Sequence, residues 1–147
     1  MASYAAALVA AIRAKLKADA GVASLVKARV YDEVPRDARG NVSTDIALPY
    51  VSIGPVGGSP YREDDAKGWT VRIRLYAAST DFGRAEAWGV IAAVTSALDG
   101  LGPAGLDLGA DFTLCAPLLE TASGDVINPL APKEAFADFE TTIFPKG

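Results

Sequence analysis

Few residues in this 147-residue sequence have side chains that could carry out covalent or metal chemistry. Histidine is absent, which excludes Ser-His-Asp and Cys-His catalysis, histidine-containing metal sites and a histidine pH switch. The single cysteine, Cys115, lies between Leu114 and Ala116 without a neighbouring base, so we expect a buried, unreactive thiol and no intrachain disulfide. Asp107 and Asp111 have no visible acid–base partner, and we interpret them as loop residues. The residue types therefore favour a protein that is not an enzyme.

Two segments have some features of ligand-binding loops. Glu63, Asp64 and Asp65 form an acidic triplet, but a calcium loop of the EF-hand type spaces its ligands over about twelve residues around a central glycine. Residues 54–59 follow a predicted strand, as phosphate loops do, yet they lack the G-K-[ST] ending and no helix pattern follows directly. We interpret the triplet as a solvated loop and the glycines as part of a hairpin tip. The sequence therefore predicts no metal and no cofactor.

The composition bounds the class of protein further. Fourteen basic and eighteen acidic residues give a formal net charge of −4, which argues against a sequence-independent grip on DNA phosphates. No apolar run approaches the roughly 20 residues of a membrane span, so we expect no membrane partner. The N-terminal apolar segment carries Arg13, Lys15 and Lys17 and lacks a basic leader, which favours a structural helix over a signal peptide. We predict one domain over residues 1–147.

The clearest structural signals lie in residues 68–100, where a strand pattern runs into a helix pattern. Apolar and polar residues alternate from Trp69 to Ala77, which is typical of a half-buried strand. Apolar residues then recur at helical spacing up to Leu98, and we expect this helix to cover the sheet face that carries the strand's apolar residues. Thr80 or Asp81 would cap its start, and Gly100 would end it.

The remaining elements are assigned by the same patterns. We predict a helix over residues 4–20. A short second turn over residues 22–27 packs Val22, Leu25 and Val26 under this helix. Strands are predicted at residues 30–32, 50–54, 112–120 and 135–144. Residues 33–48 form a long loop, residues 56–67 a long hairpin tip, and residues 123–125 a turn. The predicted fold is α+β: a mainly antiparallel sheet of about four to five strands, with an N-terminal helix and one central helix packed on one face.

Charges on the polar faces of two strands predict a register. Arg72 and Arg74 lie on one face of the central strand, and Asp138 and Glu140 lie on one face of the last strand. If the two strands are neighbours, opposite charges face each other, which contributes about 0.2–1 kcal/mol per pair. The adjacent Tyr61 and Arg62 are residue types favoured as interface anchors.

Several short segments occur in a characteristic order. They are D-A-G-V-A-S-L-V at 19–26, R-V-Y-D-E-V-P at 29–35, L-P-Y-V-S-I-G at 48–54, V-R-I-R-L-Y at 71–76 and G-R-A-E-A at 83–87. In this order the chain resembles the tail-completion, or tail terminator, protein family of long-tailed phages and phage-like gene transfer agents. The resemblance spans most of the chain to Phe144.

The resemblance implies a subunit that assembles as a six-fold ring on the head-proximal end of the tail tube, ends tube polymerisation and docks to the head. Its partners would be copies of itself, the tail tube protein and a head-side connector or stopper protein, while DNA only passes through the lumen. It would lie at the head–tail junction of a virion or phage-like particle assembled in the bacterial host cytoplasm.

On this reading, the candidate subunit or tube interface comprises the exposed hairpin tip and the polar strand face. These residues are Tyr61, Arg62, Glu63, Asp64, Asp65, Lys67, Arg72 and Arg74. Two alternatives stay open. One is another neck or tail-tube structural component, and the other is a small ligand-binding domain or an unrecognised enzyme, which would need an enclosed pocket with converging polar groups.

Overall fold

A computed structural model describes residues 2–42, 46–63, 66–79, 84–126 and 133–147 of the chain. Within these residues it contains three helices and six strands, so the α+β class is confirmed. The helices are α1 (Tyr4–Ala18), α2 (Ala20–Val26) and α3 (Ala85–Leu98). The strands are β1 (Val30–Tyr31), β2 (Tyr50–Glu63), β3 (Ala66–Ser79), β4 (Phe112–Leu114), β5 (Leu119–Val126) and β6 (Lys133–Pro145). None of the described helices is long and apolar enough to span a membrane.

The strands form one mixed sheet in the order β1-β2-β3-β6-β4, and β5 also pairs with β6. The prediction of a mainly antiparallel sheet is therefore only partly right. The β2–β3 hairpin and the other pairs are antiparallel, but β1 runs parallel to β2, with Val30 opposite Val51. The long segment between β1 and β2 makes this possible, because only a tight turn forces consecutive strands to be antiparallel.

The prediction of a long hairpin tip over residues 56–67 is wrong. β2 continues through Pro55 and Pro60 to Glu63, and β3 begins at Ala66. Proline is tolerated in a strand only at an edge or a bulge, since it has no N–H to donate. Both conditions hold: the register shifts between Ile53 and Val56, and β1 pairs with β2 only near Val51.

The prediction of a turn at residues 123–125 is also wrong, because these residues lie within β5 and pair with β6. Gly124 lies opposite Phe136, and a Cβ at Gly124 would be only 2.8 Å from that ring. The glycine thus accommodates an aromatic ring and does not mark a turn. The predicted strand at 112–120 is divided into β4 and β5 around Pro117, as the proline suggested.

The three helices cover one face of the sheet. Leu8 and Ile12 of α1 and Ile91 of α3 are buried together with Val71 and Ile73 of β3, which confirms the predicted packing. Capping explains why α1 ends before its predicted limit. The Asp19 backbone is extended, and its side chain accepts a hydrogen bond of 3.0 Å from the Val22 N–H to begin α2.

Other details of the helices differ from prediction. Leu25, predicted to pack under α1, is 43% exposed. The predicted caps of α3, Thr80 and Asp81, lie outside the described residues. Arg84 precedes α3 and makes no side-chain capping hydrogen bond. Trp88 of α3 donates from Nε1 to Asp125 at 3.0 Å, so this helix is anchored to β5 by its indole.

The opposite sheet face carries a smaller apolar cluster at one end, formed by Val34, Tyr50 and Ala78. Ala78 belongs to this cluster whereas Ala77 belongs to the main core, because successive residues of a strand point to opposite faces. Residues 33–42 and 46–48, which we call the arm, contribute Val34 to this cluster, and Ile46 and Leu48 pack against it.

Candidate functional site

The sheet face opposite the helices, which we call the open face, carries a ladder of opposite charges between β3 and β6. Arg72 lies opposite Glu140, and Arg74 lies opposite Asp138. The predicted register is confirmed, and both pairs form salt bridges. A depression of about 490 Å³, open to solvent, lies over these four side chains.

The inner pair of the ladder is held firmly. Arg74 donates to both carboxylate oxygens of Asp138, from Nε at 2.7 Å and from Nη2 at 3.0 Å. Its guanidinium carbon also lies 4.0 Å from the centre of the Phe136 ring. The pKa of Arg74 is raised, first by the hydrogen bond to Asp138 and next by one to Tyr76. Bidentate geometry and ring contact fix Arg74 in one position.

The outer pair is looser. Arg72 makes one contact with Glu140, from Nε to Oε2 at 3.3 Å, and its side chain is 78% exposed. An exposed pair of this kind contributes little to stability. Most of the guanidinium therefore remains accessible, which is the condition a contact with another molecule requires.

The end of the β2–β3 hairpin, which we call the ribbon end, consists of residues 61–63 and 66–68. Tyr61 and Phe144 flank Gly68 on neighbouring strands, with ring centroids 5.4 Å apart in an edge-on arrangement. Arg62 lies directly opposite Lys67. The structure thus brings Tyr61, Arg62 and Lys67 together, but alternation places Tyr61 on the other face from Arg62.

The acidic residues predicted for the interface are only partly described. Asp64 and Asp65 lie outside the described residues, and Glu63 is described only as the last residue of β2. Within the described part of the chain, no group of three or more Asp, Glu or Cys side chains is close enough together to hold a metal ion.

Cys115 is exposed, so the prediction of a buried thiol is wrong. Cys115 follows Leu114, the buried last residue of β4, and its backbone N–H donates to the Thr142 carbonyl at 2.8 Å. The apolar neighbours of Cys115 in sequence say nothing about which way its own side chain points, because adjacent residues face in opposite directions.

A cleft that the sequence did not predict lies between the arm and the open face, with a volume of about 260 Å³. Its lining includes three carboxylates and one guanidinium, together with two tyrosines: Asp32, Glu33, Glu134, Arg36, Tyr50 and Tyr76. Burial raises the pKa of Glu134. The pKa of Tyr50 is raised by burial and then by the Glu134 charge, and it is partly lowered by Arg36. The cleft is therefore negatively charged and partly desolvated.

Sequence reasoning missed Glu134, Phe136 and Phe144 as members of this surface. Phe136 and Phe144 alternate with the buried residues of β6, and that period of two was available from the sequence. Glu134 carried no comparable signal, because its environment depends on where the arm folds.

The chain is similar in sequence to one protein family and in structure to a protein of a virus-like particle. The family model described as "Tail completion protein gp17" matches residues 10–143. A chain of the solved structure described as "Virion of native gene transfer agent (GTA) particle" is 27% identical, with a TM-score of 0.77 and coverage of 100% of both chains. No curated protein matches the chain. The family resemblance predicted from the sequence is thus confirmed.

Proposed function

The chain belongs to the family of tail completion protein gp17, and from this membership we propose that it is a structural protein of a phage or gene transfer agent particle. In this proposal it forms a ring at the head-proximal end of the tail tube. The family that the chain resembles implies a ring of six subunits. The ring ends tube polymerisation and joins the tail to the head connector. The protein acts by assembly and not by catalysis.

The observation that carries the proposal is the end-to-end similarity to a chain of a gene transfer agent virion. Both chains are covered completely, so the similarity is not confined to one part of the fold.

The surface chemistry supports an assembly role. A ring of identical subunits needs a heterologous interface, in which one patch contacts a different patch on the next copy. The open face with Arg72, and the ribbon end with Tyr61, Arg62 and Lys67, are accessible patches of suitable chemistry. A net charge of −4 is compatible with DNA that passes through a lumen without binding to it.

Deletion of the gene tests this function, with particles examined by electron microscopy. We expect filled heads together with tails that are unattached or abnormally long, and a plasmid copy of the wild-type gene should restore attached tails of normal length. Attached tails of normal length in the deletion strain would refute the proposal.

The position of the protein separates the proposed role from another neck or tube role. A peptide tag at the C-terminus, detected with gold-labelled antibody, should mark one place per particle at the head–tail junction. Labelling along the whole tail would indicate a tube component, and labelling at the far end of the tail would indicate a different structural role.

A further inference from the structure

The ribbon end carries a pair of like charges that the described part of the chain does not neutralise. Arg62 and Lys67 lie directly opposite each other on adjacent strands, so they share one face, and both are exposed. Like charges in this arrangement are destabilising. Neither residue takes part in any of the salt bridges of the described residues. An arrangement that costs stability within the chain is explained if another molecule supplies the opposite charge.

The cleft beneath the arm has the complementary chemistry. Three carboxylates, those of Asp32, Glu33 and Glu134, outnumber the single guanidinium of Arg36. These carboxylates do not form a metal-binding group, so an extended organic cation fits them better than a metal ion. Since a water molecule occupies about 30 Å³ in the liquid, a cleft of about 260 Å³ admits a long side chain.

The walls of the cleft suit an arginine in particular. Tyr50 and Tyr76 both line it, and aromatic faces attract a guanidinium. Burial of the Glu134 carboxyl raises its pKa, which indicates that a carboxylate there lacks sufficient compensation within the chain. A cation inserted from outside would supply that compensation.

The two patches cannot meet within one copy. Lys67 and Tyr76 belong to the same strand, β3, and nine residue steps of about 3.3 Å separate them by roughly 30 Å. They lie toward opposite ends of the sheet. A charge-complementary pair held apart on one rigid strand is what a heterologous, head-to-tail contact requires.

We propose that the ribbon end of one copy docks into the cleft of a second copy, with Arg62 and Lys67 facing Asp32, Glu33 and Glu134. This inference rests on the proposed ring and names the contact that builds it. Glu63, Asp64 and Asp65 follow Arg62 in the sequence and give residues 61–68 a formal charge of −1, so docking depends on the face that Arg62 and Lys67 share and not on the net charge of the segment. Repetition of the contact joins successive copies in one direction.

Cysteine cross-linking in assembled particles tests the contact. In a Cys115→Ser background, Arg62→Cys and Glu33→Cys are introduced together, and particles are treated with a short bis-maleimide and separated on a denaturing gel. The distance within one copy prevents intramolecular cross-linking, so we expect a ladder of dimers, trimers and larger species. Each single-cysteine variant should give no species larger than a dimer. The matched control combines Arg62→Cys with Lys17→Cys, on α1. We expect no ladder from it.

Charge reversal provides a second test that does not depend on cross-linker reach. Arg62→Glu with Lys67→Glu should reduce the fraction of attached tails by about tenfold, because like charges then meet in the interface. Addition of Asp32→Lys and Glu33→Lys should restore attachment. All four sites are exposed, and thermal unfolding of each purified variant confirms that it folds.

The outcomes separate this contact from the ring itself. Multiple copies at the head–tail junction without a ladder and without charge rescue would overturn the proposed contact while leaving the ring intact. Cross-links from Arg62→Cys to the tail tube protein would also overturn it. A single copy per particle would refute the ring and the contact together.

Discussion

Substitution of Gly68 by alanine tests how the ribbon end is built. A Cβ at this position would lie 2.5 Å from the backbone oxygen of Ile143 and 2.7 Å and 2.9 Å from two ring carbons of Phe144. The ring can rotate, but the Ile143 carbonyl belongs to β6, where Ile143 pairs with Trp69. Relief of the clash therefore requires the β3–β6 ladder to separate locally.

The expected loss of stability combines two effects. Overpacking a well-packed position costs about 1–3 kcal/mol, and displacement of the Phe144 ring from Tyr61 adds about 0.5–1.5 kcal/mol. We expect Gly68→Ala to lower the free energy of unfolding by about 1.5–4.5 kcal/mol. Urea unfolding monitored by tryptophan fluorescence measures this as a lower midpoint at an unchanged slope.

Gly57→Ala is the matched control, because Gly57 lies in the same hairpin and a Cβ there meets nothing within 4 Å. Its stability should be unchanged or raised by up to about 1 kcal/mol, because alanine restricts the unfolded chain. The double variant Gly68→Ala with Phe144→Leu should recover little of the loss if the Ile143 carbonyl is the main obstacle. Equal midpoints for Gly68→Ala and Gly57→Ala would refute the steric explanation.

Three further predictions concern the open face, the cleft and the core. Arg74→Glu should lower the urea midpoint, and Arg74→Glu with Asp138→Arg should recover part of it; no recovery would argue against their pairing. Burial raises the pKa of Glu134, so this group favours folding below its unfolded pKa and loses that contribution as the pH rises through the folded pKa. Glu134→Gln should therefore be more stable than wild type at neutral pH, and the difference should shrink below about pH 4, as measured by thermal unfolding against pH. Phe139→Ala, at a fully buried position, should lose about 3–5 kcal/mol in urea unfolding, whereas an effect below 1 kcal/mol would contradict its place in the core.

The β3–β6 pairing was predictable because period-two alternation and opposite charges agreed on one register. The full length of β2 was not, since Pro55 and Pro60 normally end a strand. Their tolerance depends on the absence of a described neighbour along most of the outer side of β2, which is a property of the sheet and not of the local sequence. The exposure of Cys115, by contrast, follows from alternation beside the buried Leu114.

The candidate site was only partly predictable for a related reason. Arg72 and Arg74 look alike in the sequence, yet Arg74 is held by Asp138 and Phe136 whereas Arg72 makes a single contact. The cleft was missed altogether because it forms between the arm and the sheet, and no local pattern encodes that contact.

Some charged side chains have a partner of opposite charge within the chain and others do not. We expect the first kind to stabilise the fold and the second kind to act in assembly. Arg74 has its carboxylate and its aromatic ring inside the same subunit, so its substitution should act mainly through stability. Arg62 and Lys67 repel each other and find no counter-charge among the described residues, so their reversal should leave the fold intact and act on assembly. If the two kinds of variant affected stability and tail attachment in the same proportion, this division of the surface would be wrong.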